Sequence, residues 1–336
     1  QQSLQNVGLK AFKSYYGGRP KLDSFVIKTF PDEEQLVSSF IRQEVNSLVG
    51  LNNLPDRLIF ENDVIQNSVP LTAETGLFFR TDGEILNDIR VRQALVQAVY
   101  VPAVLKQLGY PVIPADEPIL RSQPGYDPAQ KQLPVNVEQA KKLLDDAGWL
   151  LAPGEQVRKK GETKLSLRLY GLNNADYSKI IHEVQTAWQA IGVETQATLP
   201  TEFQMQEIVN SRSYDILIYG ISIGADPDVF AYWHSSQADP RSASRLNFSN
   251  YSSSAADKAL ESARSRSDNV LRAAKYSPFL QAWRNDAPAL MLYQPRFLYI
   301  TRNQLYGFDA KTINTASDRF SNVENWMTRR GYVPKQ

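Results

Sequence analysis

The stretch from Lys164 to Gly220 decides the fold. It reads KLSLRLYG (164–171), then YSKIIHEVQTAWQAI (177–191), VETQATL (193–199), TEFQMQEIVNSR (201–212) and YDILIYG (214–220). Leu165, Leu167 and Leu169 alternate with polar residues as in a half-buried strand. Ile180, Ile181, Val184, Trp188 and Ile191 recur at helical spacing. Thr201 followed by Gln204 forms a capping-box pattern for the second helix. YDILIYG is a continuous apolar run of the kind covered on both faces. The segment is therefore β-α-β-α-β, which predicts an α/β fold with parallel pairing and right-handed crossovers. Ligands of such sheets lie beyond the carboxyl ends of the strands, which directs attention to the loop after Gly220.

Outward from this unit, SFVIKTF (24–30) reads as a strand and PDEEQLVSSFIRQEV (31–45) as a helix with Pro31 in its first turn. GLFFRTD (76–82) reads as a strand, and Asp88 starts the helix DIRVRQALVQAVY. A short helix over 102–108 ends at Gly109, and six prolines between Tyr110 and Pro134 predict an extended loop. Asn136 caps VEQAKKLLDDAG, which Gly148 closes. Helices over about 254–266 and 270–285 precede the strand pair ALMLYQ and FLYIT, and a polar tail follows.

Composition removes several functions. The 336 residues suggest about two domains. With 37 Lys plus Arg against 36 Asp plus Glu, interspersed along the chain, nucleic acid is not an expected partner. No cysteine is present, so disulfides, thiolate metal sites and cysteine nucleophiles are excluded. The longest largely apolar run, Ala94 to Leu105, is far shorter than the roughly 20 residues of a membrane-spanning helix. The first residues, QQSLQNVGLKAF, lack a signal-peptide pattern, so an export signal is expected outside this sequence.

Gly220-Ile221-Ser222-Ile223-Gly224 matches the G-x-S-x-G of a nucleophile elbow directly after a buried strand. An elbow needs a helix starting at once behind the serine. Here Ala225-Asp226-Pro227-Asp228 intervenes, with Asp226 read as the cap and Pro227 as the first residue of a later helix that also carries His234. His182 precedes the serine, so neither histidine follows the hydrolase order. The two histidines lack an H-x-x-x-H partner, and no phosphate loop occurs, so neither a metal nor a cofactor is expected. Arg90 and Arg92 read as structural ion-pair residues. What remains at the predicted ligand edge is aromatic: Tyr219, Phe230, Tyr232 and Trp233, as suits a binding cleft.

Five segments in order then resemble the large extracytoplasmic solute-binding proteins of ABC importers, family 5, which take oligopeptides, dipeptides and nickel chelates. They are YYGGRPKLDSFVIKTFPDEEQLVSSF (15–40), ILNDIRVRQALVQAVY (85–100), Gly125-Tyr126-Asp127-Pro128 leading into VNVEQAKKLLDDAGW (135–149), SYDILIYGISIGADPDVF (213–230), and APAL (287–290) with LYGFD (305–309). The resemblance implies a periplasmic-binding-protein-like fold of type II, cluster C. Lobe I would be residues 1–77 and 290–336, and lobe II the insertion 78–289 with its βαβαβ core at 164–220. The hinge crossings would lie near 77–82 and 289–294.

It further implies a non-catalytic, monomeric component that binds a peptide or small molecule between two lobes and delivers it to ABC permease subunits in the membrane. The location would be extracytoplasmic, with a membrane anchor in the full-length form. Cleft candidates are Tyr219, Ile221, Ser222, Ile223, Asp226, Asp228, Phe230 and Trp233. The acidic residue that takes a peptide's α-amino group in relatives has no counterpart in Ser222-Ile223-Gly224-Ala225, and the adjacent tryptophan position is Ile221. Asp226 or Asp228 would replace it only if the loop presents one to the cleft. Alternatives are an α/β serine hydrolase using Ser222 and a transport-inactive relative serving as a surface interaction protein. Family members are longer, so one complete lobe plus the C-terminal part of the other is expected, with weak ligand binding by the chain alone.

Overall fold

A computed structural model describes residues 6–328 except Ala243 and Ala310. The first five and last eight residues, which belong to the quoted N-terminus and the polar tail, lie outside the described residues. The chain forms two units, 1–71 with 295–336, and 72–294.

The first unit holds a hairpin of Asn6–Lys10 and Ser24–Lys28 and the helix Glu33–Ile41. Asp32 caps that helix by accepting from the Gln35 backbone N–H at 2.8 Å, so Pro31 precedes it instead of occupying its first turn. A three-stranded antiparallel sheet has Arg296–Arg302 between Ser47–Val49 and Val64–Pro70. Val37, Phe40, Leu48, Leu298 and Ile300 form one core cluster, and Val69, Phe297, Tyr299 and Trp326 another.

The second unit is built on a six-stranded sheet. Its order is Glu194–Thr198, Ser166–Tyr170, Ile216–Ser222, Ala73–Phe79, Ala289–Gln294, Ile113–Pro114. The first three strands are parallel, as the β-α-β-α-β pattern requires. The helices between them are Ala175–Gln189, capped by Asn174, and Glu202–Ser211, with the Thr201–Gln204 capping box formed. Ala73–Phe79 runs antiparallel on both sides, so the sheet is mixed. The two sides of the sheet carry separate cores. Leu77, Phe79, Leu167, Ile180, Trp188 and Ile218 pack on one, and Phe78, Leu217, Ile221, Trp233, Phe279 and Trp283 on the other.

The chain passes between the units at 71/72 and again at 294/295. Both passages lie several residues outside the 77/78 and 289/290 boundaries expected from sequence. Ala73–Phe79 and Ala289–Gln294 pair with each other along their length and so belong whole to the second unit. ALMLYQ and FLYIT are likewise consecutive but in different sheets. Pro295 separates them, and its carbonyl accepts from the Leu71 N–H at 3.0 Å.

Candidate functional site

Several strands end at one edge of the second unit's sheet. Ser166–Tyr170, Ile216–Ser222 and Ala289–Gln294 reach it with their carboxyl ends and Ala73–Phe79 with its start. A mixed α/β sheet presents ligands with this edge.

Ser222 is the last residue of its strand and pairs with Ala73. The strand therefore runs through the first three residues of G-x-S-x-G, and the turn comes only at Gly224, with φ +84. Ser222 is not among the residues with positive φ, and the next helix starts at Phe230. No strained strand-to-helix elbow forms. Both ring nitrogens of His234 are engaged elsewhere, Nδ1 with Ser236 Oγ at 2.8 Å and Nε2 with Glu261 Oε1 at 3.3 Å. His182 is exposed. Among the described residues, no group of three His, Cys, Asp or Glu could hold a metal ion.

The loop after the strand is held in place on several sides. The Thr72 carbonyl accepts from Ile223 N–H at 2.8 Å and from Gly224 N–H at 3.2 Å. Gln123 donates Nε2–H to the Gly224 carbonyl at 2.7 Å, and the Tyr276 hydroxyl donates to Pro227 O at 2.7 Å. Tyr232 donates its hydroxyl to Ser222 O at 2.5 Å.

Asp226 does not cap a helix. It pairs with Arg272 of the helix Asn269–Asp286, and this bond is the main reason the Arg272 guanidinium is held more firmly protonated. Asp228 accepts from the Phe230 N–H at 3.2 Å and pairs with Arg264 at 2.8 Å. Arg264 also lies 4.1 Å over the Phe230 ring, which stacks on His234 at 4.0 Å. Both loop carboxylates are thus bound by arginines, and neither is a spare anchor for a cationic ligand group.

The cleft candidates divide by burial. Ile221, Ile223 and Trp233 are core residues, with Trp233 fully buried and stacked on Phe78 at 5.6 Å. Ser222 and Asp226 are exposed, whereas Tyr219, Asp228 and Phe230 are half-buried. Arg90 pairs with Asp88 as expected. Arg92 instead donates to the carbonyls of Leu86, Asn87 and Asp286.

Sequence reading missed a hydroxyl cluster on the other side of the same edge. Tyr110 donates to Asp176 Oδ2 at 2.6 Å. The Thr75 hydroxyl is shared by Tyr177 and Tyr293, and Tyr293 also bonds Tyr110. Burial is the first cause raising all three tyrosines above the ordinary phenol range, so they stay neutral donors and acceptors. Gly220 lies open beside them, and a Cβ there would meet the Tyr177 hydroxyl at 3.6 Å and Thr75 Oγ1 at 3.8 Å. These residues come from four separate stretches of chain, and no spacing in the sequence marks them.

Residues 2–242 match the model of the bacterial extracellular solute-binding proteins, family 5 (middle). The chain belongs to that family. It is 26% identical over 330 residues to the oligopeptide-binding protein AppA of Bacillus subtilis, covering 96% of this chain and 59% of that protein. It is 22% identical over 320 residues to the dipeptide-binding protein of Escherichia coli, covering 91% and 56%. Among solved structures, AppA in complex with a nonapeptide superposes with a TM-score of 0.75 at 24% identity over 98% of this chain and 65% of the other. NikZ of Campylobacter jejuni in complex with Ni(L-His) superposes with a TM-score of 0.79 at 22% identity, covering 98% and 66%. These structures share the α/β fold of periplasmic binding proteins. The chain spans somewhat under three fifths of the length of the curated relatives it matches. No helix of the described residues is long and apolar enough to cross a membrane.

Proposed function

We propose that this chain is part of a non-catalytic solute-binding component of an ABC import system, with peptides as its ligand class. The second unit is one lobe and the first unit the C-terminal part of the other, and ligand is taken between lobes. The observation that carries this reading is the sheet edge of hydroxyls from Thr75, Tyr110, Tyr177 and Tyr293 beside the exposed Gly220, with the half-buried Tyr219 ring on the opposite face of the same edge. Aromatic faces with a few fixed hydrogen-bonding groups suit reversible binding of a polar solute. The family membership and the relatives that bind oligopeptides and dipeptides support the same conclusion.

The binding component works outside the cytoplasm, anchored to the membrane in its full-length form, and hands its ligand as a monomer to permease subunits. Closure of the lobes over ligand converts binding into a population shift toward the state the permease recognises. Because Asp226 and Asp228 are neutralised by Arg272 and Arg264, anchoring of a peptide's α-ammonium by this loop is not part of the proposal. Mass spectrometry of material co-purified with the protein, with thermal-shift screening of peptides against sugars at millimolar concentration, tests it. Peptides should raise the melting temperature. A response confined to sugars, or none to either class, rejects the peptide reading.

A further inference from the structure

Two buried carboxyl groups lie behind the candidate loop, and among the described residues neither forms an ion pair. Glu74 and Glu117 are each 1% exposed, and among the described residues Glu74 Oε2 has no hydrogen-bond partner. Glu74 is the register partner of Ile221, so both point to the same face of the sheet. That face is covered by Ala115, Ile119 and Leu120, which flank Glu117. Glu117 accepts from the Asp127 backbone N–H at 3.1 and 3.3 Å. The charges near Glu117 are Asp116, Asp127 and Lys131, and those near Glu74 are Glu117 and Asp116. Arg121 and Lys131 both pair with Asp116 instead, which also accepts from the Tyr126 hydroxyl. The facing residue of the neighbouring strand, Ile221, brings no charge.

An isolated carboxylate in such a place is costly, and neutralisation by a proton is the ordinary escape. Burial is the first cause raising both groups, Glu74 well above the carboxyl range and Glu117 to about 8. Glu117 belongs to the segment that grips the loop, and its bond from the Asp127 N–H closes that segment on itself. Gln123 lies within it and binds the Gly224 carbonyl at 2.7 Å. Gly125 packs against Tyr276, whose hydroxyl holds Pro227 O at 2.7 Å.

We propose that Glu74 and Glu117 are positioning residues which, as neutral acids, seat the 115–127 segment on the sheet and through Gln123 and Tyr276 fix the 223–228 loop. Ionisation puts uncompensated charge under that segment and loosens the loop. The device does not depend on which solute the edge takes, and its failure leaves the solute-binding reading untouched.

The folded state holds these protons more tightly than the unfolded chain. The stability they contribute is fully present below the ordinary carboxyl range and is lost as pH rises through the raised values. The test uses the whole chain, unfolded by denaturant between pH 5 and 9, with amide exchange at Ile223 and Gly224 corrected for intrinsic rate. The wild-type unfolding constant should climb with pH by up to about tenfold per unit for each linked proton.

The Glu74→Gln/Glu117→Gln double variant, which copies the neutral acids, should lose that climb and keep both amides protected at pH 9. Gln123→Ala should keep the wild-type climb in unfolding while exposing the Gly224 amide at every pH. A double variant with the wild-type pH slope overturns the proposal. So does a double variant that is less stable than wild type at pH 6 or unfolded, since that would show the charges themselves are required.

Discussion

The carbonyl of Thr72 accepts two backbone N–H groups from the candidate loop, Ile223 at 2.8 Å and Gly224 at 3.2 Å. Thr72 is the first residue of the second unit, directly after the chain leaves the first. The candidate loop is thus tied to the residue that opens the second unit. Gly224 can make its turn because φ is +84, and a Cβ there would meet nothing within 4 Å. Gly224→Ala therefore costs only the left-handed backbone penalty, about 1 kcal/mol. Urea unfolding should show that loss with an unchanged m-value, and exchange at Ile223 should rise.

Trp233 and Phe230 are neighbours on one short helix with opposite fates. Trp233 is fully buried between Phe78 and Trp283, whereas Phe230 is half-buried under Arg264. Trp233→Ala should destabilise the second unit by about 3–5 kcal/mol. Phe230→Ala should cost about 1 kcal/mol, because solvent and Arg264 already share its surroundings. Denaturation followed by fluorescence ranks the two, and equal costs would refute the distinction.

Asp226 is the exposed partner of its ion pair, at 66% side-chain exposure against 11% for Arg272. Such pairs contribute about 0–1 kcal/mol. Asp226→Asn should fall within that range and leave any peptide response unchanged. A tenfold or greater loss of affinity would identify Asp226 as an amino-group anchor after all.

Ser222 lies in the last position of a paired strand, and His234 is engaged by Ser236 and Glu261. A fluorophosphonate probe should leave Ser222 unlabelled, and Ser222→Ala should shift stability by no more than about 0.5 kcal/mol. Covalent labelling at Ser222 would return the hydrolase alternative.

Local signals were readable in the sequence where neighbours along the chain decide the outcome. Asp88, Asn136 and the Thr201–Gln204 pair cap the helices they were expected to cap, and the three parallel strands overlap the segments expected for them, the third running on to Ser222 instead of stopping at Gly220. Long-range partners were not readable. Asp226 is met by an arginine 46 residues further along, so its cap-like position before Pro227 misleads. Phe230 and Trp233 have the same aromatic character in sequence, and only tertiary packing sends one into the core. The central place of Ala73–Phe79 depends on Ile216–Ser222 and Ala289–Gln294 arriving much later in the chain. The cluster of Thr75, Tyr110, Asp176, Tyr177 and Tyr293 is assembled by the same closure of the sheet.

The sheet edge around Gly220 is proposed to receive a peptide, and nuclear magnetic resonance chemical-shift mapping tests this even where affinity is weak. Titration of the labelled chain with a peptide mixture to millimolar concentration should move the amides of Thr75, Tyr177, Tyr219 to Gly224 and Tyr293, with smaller shifts in a Tyr177→Phe/Tyr293→Phe variant. Absence of any shift at that edge, or shifts confined to a different surface, would contradict the account.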